Sequence, residues 1–319
     1  MNTILTSDRM YSKELRLMGN HFQISAVADD ESWAIKRIDE AITEIQRIEA
    51  LLTTFREDSQ TNLINVNAGV KPVHVDQEVF DLIERSLRIS VLTQGAFDIT
   101  YGSMDKRFWN FDKTMDELPD PKVAKSLVRL INYRNVITDR TNGTVFLKEK
   151  GMRIGFGGIG KGYAADQARA VMQKNGVMSG IVNAAGDLTV WGTQADGNPW
   201  TIGVADPDRK EFPFASMRLT NVSVATSGNY EKYAVIGGKK YAHTIDPKTG
   251  YPVQGIKSVT IICNNAEIAD AMATPVMVMG IKAGLHLINQ MKEIACIIID
   301  DDDRIHTSNN INIKNAYEA

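Results

Sequence analysis

Residues 151–166 read GMRIGFGGIGKGYAAD. Gly155, Gly157, Gly158 and Gly160 fall within this short run, so the backbone can adopt conformations closed to other residues and let a ligand approach its N–H and C=O groups. The pattern predicts a strand before the turn. After it, Ile159, Tyr163, Ala164, Ala168 and Val171 recur at helical spacing, and Asn175-Gly176 supplies a stop. A helix N-terminus, with its unpaired N–H groups and partial positive charge, then stands beside bare backbone and Lys161. That arrangement suits phosphate, and a nucleotide is the ligand it predicts.

Three motif readings compete for the loop. Gly155-x-Gly157-x-x-Gly160 matches a dinucleotide fingerprint, but the acid that should follow about 20 residues later is missing, and Asp187 comes too late. Gly155-x4-Gly160-Lys161 matches most of a P-loop, yet Gly162 stands where the Mg²⁺-binding hydroxyl should be. The third reading is a tight turn with no ligand.

Composition narrows the choice. The chain has 319 residues, 43% of them hydrophobic, enough for a large buried core. Its formal net charge is −3 with no basic cluster, which argues against nucleic acid as a partner. Cys263 and Cys296 lie inside apolar runs and read as core thiols rather than a disulfide or metal site. No run reaches transmembrane length, and the first residues lack the pattern of a signal peptide. A cytoplasmic protein is therefore expected of the chain as it stands, with an exported, membrane-associated one as the alternative if a leader was removed.

Along the chain, 13–27 alternates as a strand, and 32–55 carries Ala34, Ile38, Ile42, Ile45, Leu52 and Phe55 on one helical face. A polar segment at 56–69 precedes a helix capped by Asp76, and Asp120-Pro121 starts a short helix running to about Leu130. Strands are expected at 135–138, 144–149, 180–192, 200–207, 215–226 and 258–263, with a hairpin turn at Gly237-Gly238. Asn265 begins a helix that Pro275 should bend or end; a helix at 281–292 and a hairpin at 294–308 turning on Asp300 to Asp303 follow. That acidic turn lacks the ligand spacing of a calcium loop. The whole reads as one α+β domain over 1–319, with room for two lobes.

Two groups of residues could carry chemistry. Asp270 and Thr274 are spaced i, i+4 on a helix, so a carboxylate and a hydroxyl leave the same face, as hard ligands for Mg²⁺ or as groups bonded to nearby backbone. His243 precedes the turn formed by Asp246-Pro247 and Thr249-Gly250, where it could act as a general base or as a hydrogen-bonded turn residue. GIVNAAGD (180–187) and ATSGNYEKY (225–233) each end a strand in small and polar residues that could line a cleft or simply make turns.

Taken in order, GAFDIT (95–100), GGIGKGYAAD (157–166), GIVNAAGD (180–187), ATSGNYE (225–231), HTIDPKTGYP (243–252) and ADAMAT (269–274) resemble the ApbE family of FAD:protein FMN transferases. The resemblance begins at LMGN (17–20) and covers almost the whole chain. It implies an α+β architecture related to the T-fold, with antiparallel or mixed sheets and packed helices, FAD in a cleft, and Mg²⁺ at its pyrophosphate. It implies transfer of FMN from FAD to a threonine hydroxyl of an acceptor protein, such as a redox-pump subunit, with release of AMP; the alternatives are a flavin-binding protein or a pyrophosphatase that splits FAD to FMN and AMP. Matched residue by residue, it implies Gly158, Asp270 and Thr274 at the metal, Met18, Ala96, Phe97, Asp98, Lys161 and Ile245 at FAD, and His243 and Asp270 in catalysis. Gly155 departs from the family's pattern, which opens the loop with an aspartate.

Overall fold

The computed structural model describes residues 8–105, 117–205, 213–229, 233–236 and 239–311. It begins with β1 (Arg9–Leu17) and β2 (Asn20–Ala28), an antiparallel hairpin turning on Met18 and Gly19, both at positive φ. A single strand is expected across 13–27; the turn instead divides it, and the buried positions change from odd (Leu17) to even (Phe22, Ile24, Ala26) across it. Next, α1 (Glu31–Leu52) is capped by Asp30, which accepts the Trp33 N–H at 2.6 Å, and buries Ala34, Ile38, Ala41, Ile45 and Ile48. Because α1 ends at Leu52, Phe55 lies beyond the helix and is 95% exposed rather than part of its buried face. The polar segment that follows contains a short helix, α2 (Gln60–Val66), started by Ser59.

After β3 (Val73–His74) comes α3 (Gln77–Leu92), whose Asp76 makes no side-chain cap; its carboxylate accepts from Gln60 Nε2 instead. A 3₁₀ turn at Ile99–Ser103, α4 (Pro121–Leu127), β4 (Val136–Asp139) and β5 (Thr144–Leu147) lead to the glycine loop and α5 (Gly160–Lys174). The predicted strand at 180–192 is a hairpin, β6 (Gly180–Ala184) and β7 (Asp187–Trp191), turning on Ala185-Gly186. The expected strand at 215–226 is likewise split, into β9 (Pro213–Leu219), which pairs with β8 (Trp200–Ala205), and β10 (Val222–Gly228). Then β11 (Tyr233–Ile236) and β12 (Lys239–Ala242) pair around Gly237-Gly238, two residues that lie outside those described. The chain closes with β13 (Ile256–Cys263), α6 (Ala266–Met279), α7 (Ile281–Ile288), β14 (Ala295–Asp300) and β15 (Ile305–Thr307). Here α6 runs through Pro275 to Met279. Burial of most of α6 outweighs the roughly 3 kcal/mol that an interior proline costs a helix.

The main sheet has the order β1-β2-β6-β7-β10-β13-β14-β15, and every described pairing in it is antiparallel. Alternate residues divide between its faces. Phe22, Ile24, Val182, Val259 and Ile261 join the core formed with α1, α5 and α6, while Val190 and Val224 pack under Trp200 and Ile202 of the β8–β9 ribbon. This α+β layering removes the dinucleotide reading of the loop, which needs parallel strands joined by crossover helices.

Candidate functional site

The glycine loop is pinned from three sides. The strand expected immediately before the turn is absent: β5 stops at Leu147, and residues 152–156 have no sheet partner because their backbone groups are bonded elsewhere. Asn65 of α2 accepts from the Ile154 N–H at 2.7 Å and donates to its carbonyl at 3.0 Å. Ser103 does the same for Arg153, at 2.7 and 3.0 Å, and the Gly155 N–H donates to the Ile99 carbonyl at 3.0 Å. Side chains thus replace a strand's ladder and fix where α5 begins.

At that point α5 and α6 meet so closely that a Cβ on Gly162 would stand 2.1 Å from the Ala266 carbonyl oxygen. Each helix supplies the other's missing acceptor. Asp270 Oδ2 of α6 accepts from the Gly162 N–H at 3.0 Å, and Asp166 of α5 accepts from the Ala266 and Glu267 N–H groups at 3.0 and 2.9 Å. Burial holds the Asp166 carboxyl above its ordinary range. The N-terminus of α5, expected to be open to phosphate, is therefore met by a carboxylate of the protein at Gly162.

Lys161 Nζ is hydrogen-bonded to Asp187 Oδ2 and lies 3.4 Å from Asp270 Oδ1. Burial would lower its pKa, but Asp270 and Asp187 together hold it above the ordinary lysine value. Asp187 is pushed up to about 6, chiefly by burial, with Lys161 opposing. Its Oδ1 accepts from the Thr226 N–H at 3.2 Å. One turn beyond Asp270, Thr274 Oγ1 is 2.9 Å from Ser227 Oγ on β10. Asp270 and Thr274 leave one face of α6 as their spacing suggested, Lys161 reaches Asp270 from α5, and Asp270 bonds a backbone amide as well. Asp187 and Ser227 were not singled out individually. The signal was there in GIVNAAGD and ATSGN, two strand ends that only the sheet places beneath α5 and α6.

The residues assigned to FAD by resemblance divide into two groups. Met18 and Phe97 border the loop: the Met18 methyl is 3.6 Å from where a Cβ on Gly160 would be, and the Phe97 ring is 3.6 Å from where one on Gly158 would be. Thr54 Cγ2 stands 4.0 Å from where a Cβ on Gly155 would be. Asp98 serves its own segment. Its carboxylate accepts from the Thr100 N–H and hydroxyl at 2.8 and 2.6 Å and from the Tyr133 N–H at 2.9 Å, and burial raises its pKa. Ala96, just before this pair, is buried. Ile245 is fully buried against Met104, Leu127 and Val128, and its N–H donates to the Tyr101 hydroxyl at 3.1 Å. His243 is half-buried at the end of β12, followed by the turn in which the Gly250 N–H donates to the Asp246 carbonyl at 2.9 Å.

The residues around Lys161 fit a hard divalent cation. Two buried carboxylates face a single ammonium, and two hydroxyls, Thr274 and Ser227, stand at the same junction; oxygen donors with surplus negative charge are what Mg²⁺ takes alongside a ligand's phosphates. A separate recess of about 420 Å³, lined by Glu78, Arg85, Tyr163 and Glu267 among others, has its charges paired with one another or with neighbouring arginines. There Arg85 meets Glu267 at 2.6 and 3.0 Å, and Glu78 accepts from Arg47 and Tyr163. It contains neither Lys161 nor Asp270.

Comparison with known proteins identifies the family and the fold. The model of the ApbE family matches residues 18–298. The chain is similar to an FAD:protein FMN transferase of Klebsiella pneumoniae (strain 342), with 31% identity over 298 residues, 92% of this chain and 90% of that protein. It is similar also to an FAD:protein FMN transferase of Salmonella typhimurium, at 31% identity over 84% of this chain and 78% of that one. Among solved structures, the ApbE protein of Thermotoga maritima superposes with a TM-score of 0.84 at 30% identity, covering 94% of this chain and 97% of that chain.

Proposed function

The chain belongs to the ApbE family and is a transferase that takes FMN from FAD, and on that premise we propose that its reaction requires Mg²⁺ and delivers FMN to a threonine hydroxyl of an acceptor protein. The observation that carries the metal reading is the cluster of Lys161, Asp187, Asp270, Thr274 and Ser227 at the junction of α5 and α6. Asp270 and Thr274 would hold the ion, with the Gly158 carbonyl as a third ligand on the strength of the family resemblance. When bound, Mg²⁺ supplies positive charge to the pyrophosphate as its bridging bond breaks.

The chain's own residues do the rest. Lys161, kept protonated by its carboxylates, faces the phosphates as a fixed cation. Met18, partly buried against the core, borders the loop and offers apolar surface on which a ring system of the flavin nucleotide can rest. His243 accepts the proton of the acceptor hydroxyl as its oxygen forms a bond to the FMN phosphorus; the bond from that phosphorus to the bridging oxygen breaks, and AMP leaves with that oxygen.

The test is incubation with FAD, Mg²⁺ and a threonine-bearing acceptor protein, read as flavin fluorescence on the acceptor in a denaturing gel. Fluorescent acceptor and Mg²⁺-dependent AMP release are expected, and both should vanish in Asp270→Ala. AMP released without an acceptor would make the protein a pyrophosphatase, and transfer that survives chelation of Mg²⁺ would remove the metal from the scheme. His243→Ala should slow transfer by roughly 10²–10⁴-fold with FAD affinity little changed; weaker FAD binding with no separate kinetic defect would make it a turn residue.

A further inference from the structure

Lys161 has two anionic partners held in unequal ways. Asp187 touches its ammonium directly, while Asp270 stands 3.4 Å away and has its other oxygen on the Gly162 N–H. The two carboxylate side chains are each 7% exposed. Asp187 is also aimed by its own hairpin: it follows Ala185 and Gly186, at φ 55° and 97°, where the Ala185 N–H donates to the His21 carbonyl at 2.9 Å and the Gly186 N–H to Asn183 Oδ1 at 2.8 Å. Alanine seldom takes that conformation, and these bonds hold it there. Two buried carboxylates against one ammonium leave a negative charge that a single ion pair would not.

We propose that Asp187 is a positioning residue that serves as the standing counter-ion of Lys161 and so releases Asp270 to a divalent cation. The inference rests on the metal reading above. Without the Asp187 carboxylate, Lys161 would close on Asp270, and an incoming cation would have to compete with the ammonium for the same oxygens. With it, Lys161 stays paired when Asp270 turns to the metal, and the arriving charge offsets the surplus.

The experiment uses the full-length, FAD-free protein with Mn²⁺ in place of Mg²⁺, binding being read from the electron paramagnetic resonance of free Mn²⁺. Asp187→Asn removes the charge and keeps an oxygen for the Thr226 N–H. It should bind Mn²⁺ at least about tenfold more weakly than wild type, as losing an outer partner of a metal ligand commonly does. Asp187→Glu should recover most of that loss. Lys161→Met added to Asp187→Asn, which removes the competitor that the lost carboxylate sets free, should restore Mn²⁺ binding to near the wild-type level. Wild-type affinity in Asp187→Asn overturns the proposal, as does Asp187→Glu binding no better than Asp187→Asn. A protein carrying both Asp187→Asn and Lys161→Met that binds Mn²⁺ no better than Asp187→Asn alone also overturns it, and Asp187→Ser takes the place of Asp187→Asn in both arms if the latter does not fold. A wild-type protein that binds no Mn²⁺ removes the metal reading and this inference together, whereas bound Mn²⁺ indifferent to Asp187→Asn removes only the role of Asp187.

Discussion

Replacing Gly162 with alanine sets helix propensity against tertiary packing. Within a helix, alanine is favoured over glycine by about 1 kcal/mol, so local physics predicts a gain. The structure predicts a loss. An alanine Cβ would stand 2.1 Å from the Ala266 carbonyl oxygen, 2.6 Å from its carbon and 2.9 Å from Asp270 Cβ, where ordinary contact begins at roughly 3.5 Å. The obstacle is backbone, so the first turn of α6 has to withdraw by roughly 1 Å. That movement stretches the Gly162 N–H to Asp270 bond and the two bonds from α6 to Asp166. Overpacking costs about 1–3 kcal/mol, and weakening a hydrogen bond to a charged group costs up to about 1.5–3 kcal/mol. After subtracting the propensity gain, a net loss of about 3 kcal/mol remains, a fall in Tm on the order of 5–10 °C for a chain of this size. Thermal unfolding followed by circular dichroism measures it. Gly157→Ala is the control, because nothing lies within 4 Å of its added Cβ and its φ is not positive, so its Tm should stay within a degree or two. A Gly162→Ala protein as stable as wild type would refute the reasoning.

Gly155→Asp should tighten FAD binding, measured by fluorescence titration, since the added Cβ meets only Thr54 Cγ2 at 4.0 Å and the backbone there is not left-handed. A new hydrogen bond to a charged acceptor is worth about 1.5–3 kcal/mol, or roughly 10- to 150-fold in affinity, and unchanged affinity would show that no donor of FAD lies there. Asp166→Ala should lower stability by about 1–2 kcal/mol through the lost cap on α6, seen as a lower urea midpoint; an unchanged midpoint would mean that water replaces the carboxylate. Burial pushes the thiols of Cys263 and Cys296 up to about 11 and 12 and the Tyr101 phenol up to about 12. Each stays protonated in the folded chain after its unfolded counterpart has ionised, so stability is intact below about pH 9 and falls as pH rises toward 11–12. Urea midpoints between pH 8 and 11 should decline, more shallowly in Tyr101→Phe. Both thiols should react with an aromatic disulfide reagent at pH 8 only as the protein unfolds, and rapid reaction in the native state would contradict their burial.

Much of this protein is legible along the chain. The apolar period read over 32–55, the Asp120-Pro121 helix start and the i, i+4 placement of Asp270 and Thr274 depend on neighbours within a few residues, and so the sequence displays them. The six motifs identified the family because they keep small or polar residues at strand ends, in loops and on one face of α6, beyond what packing alone asks. The hairpin turns at Met18-Gly19 and Ala185-Gly186 leave only a one-step phase change in the alternation as their mark, from odd positions at Leu17 to even ones at Phe22 and Ile24 in the first of them. Phe55 looked like a core residue only because the helical period extends in register past the point where α1 stops. Tertiary structure alone decided that Asp187, 26 residues beyond Lys161, reaches its ammonium, that Asp270 reaches it from 109 residues away, and that α6 continues through Pro275. These outcomes depend on the antiparallel order of β6, β7, β10 and β13 and on a crossing of α5 and α6 that only glycine at 162 permits. Local spacing carries no record of such contacts, because the free energy that sets them belongs to the burial of whole faces against each other.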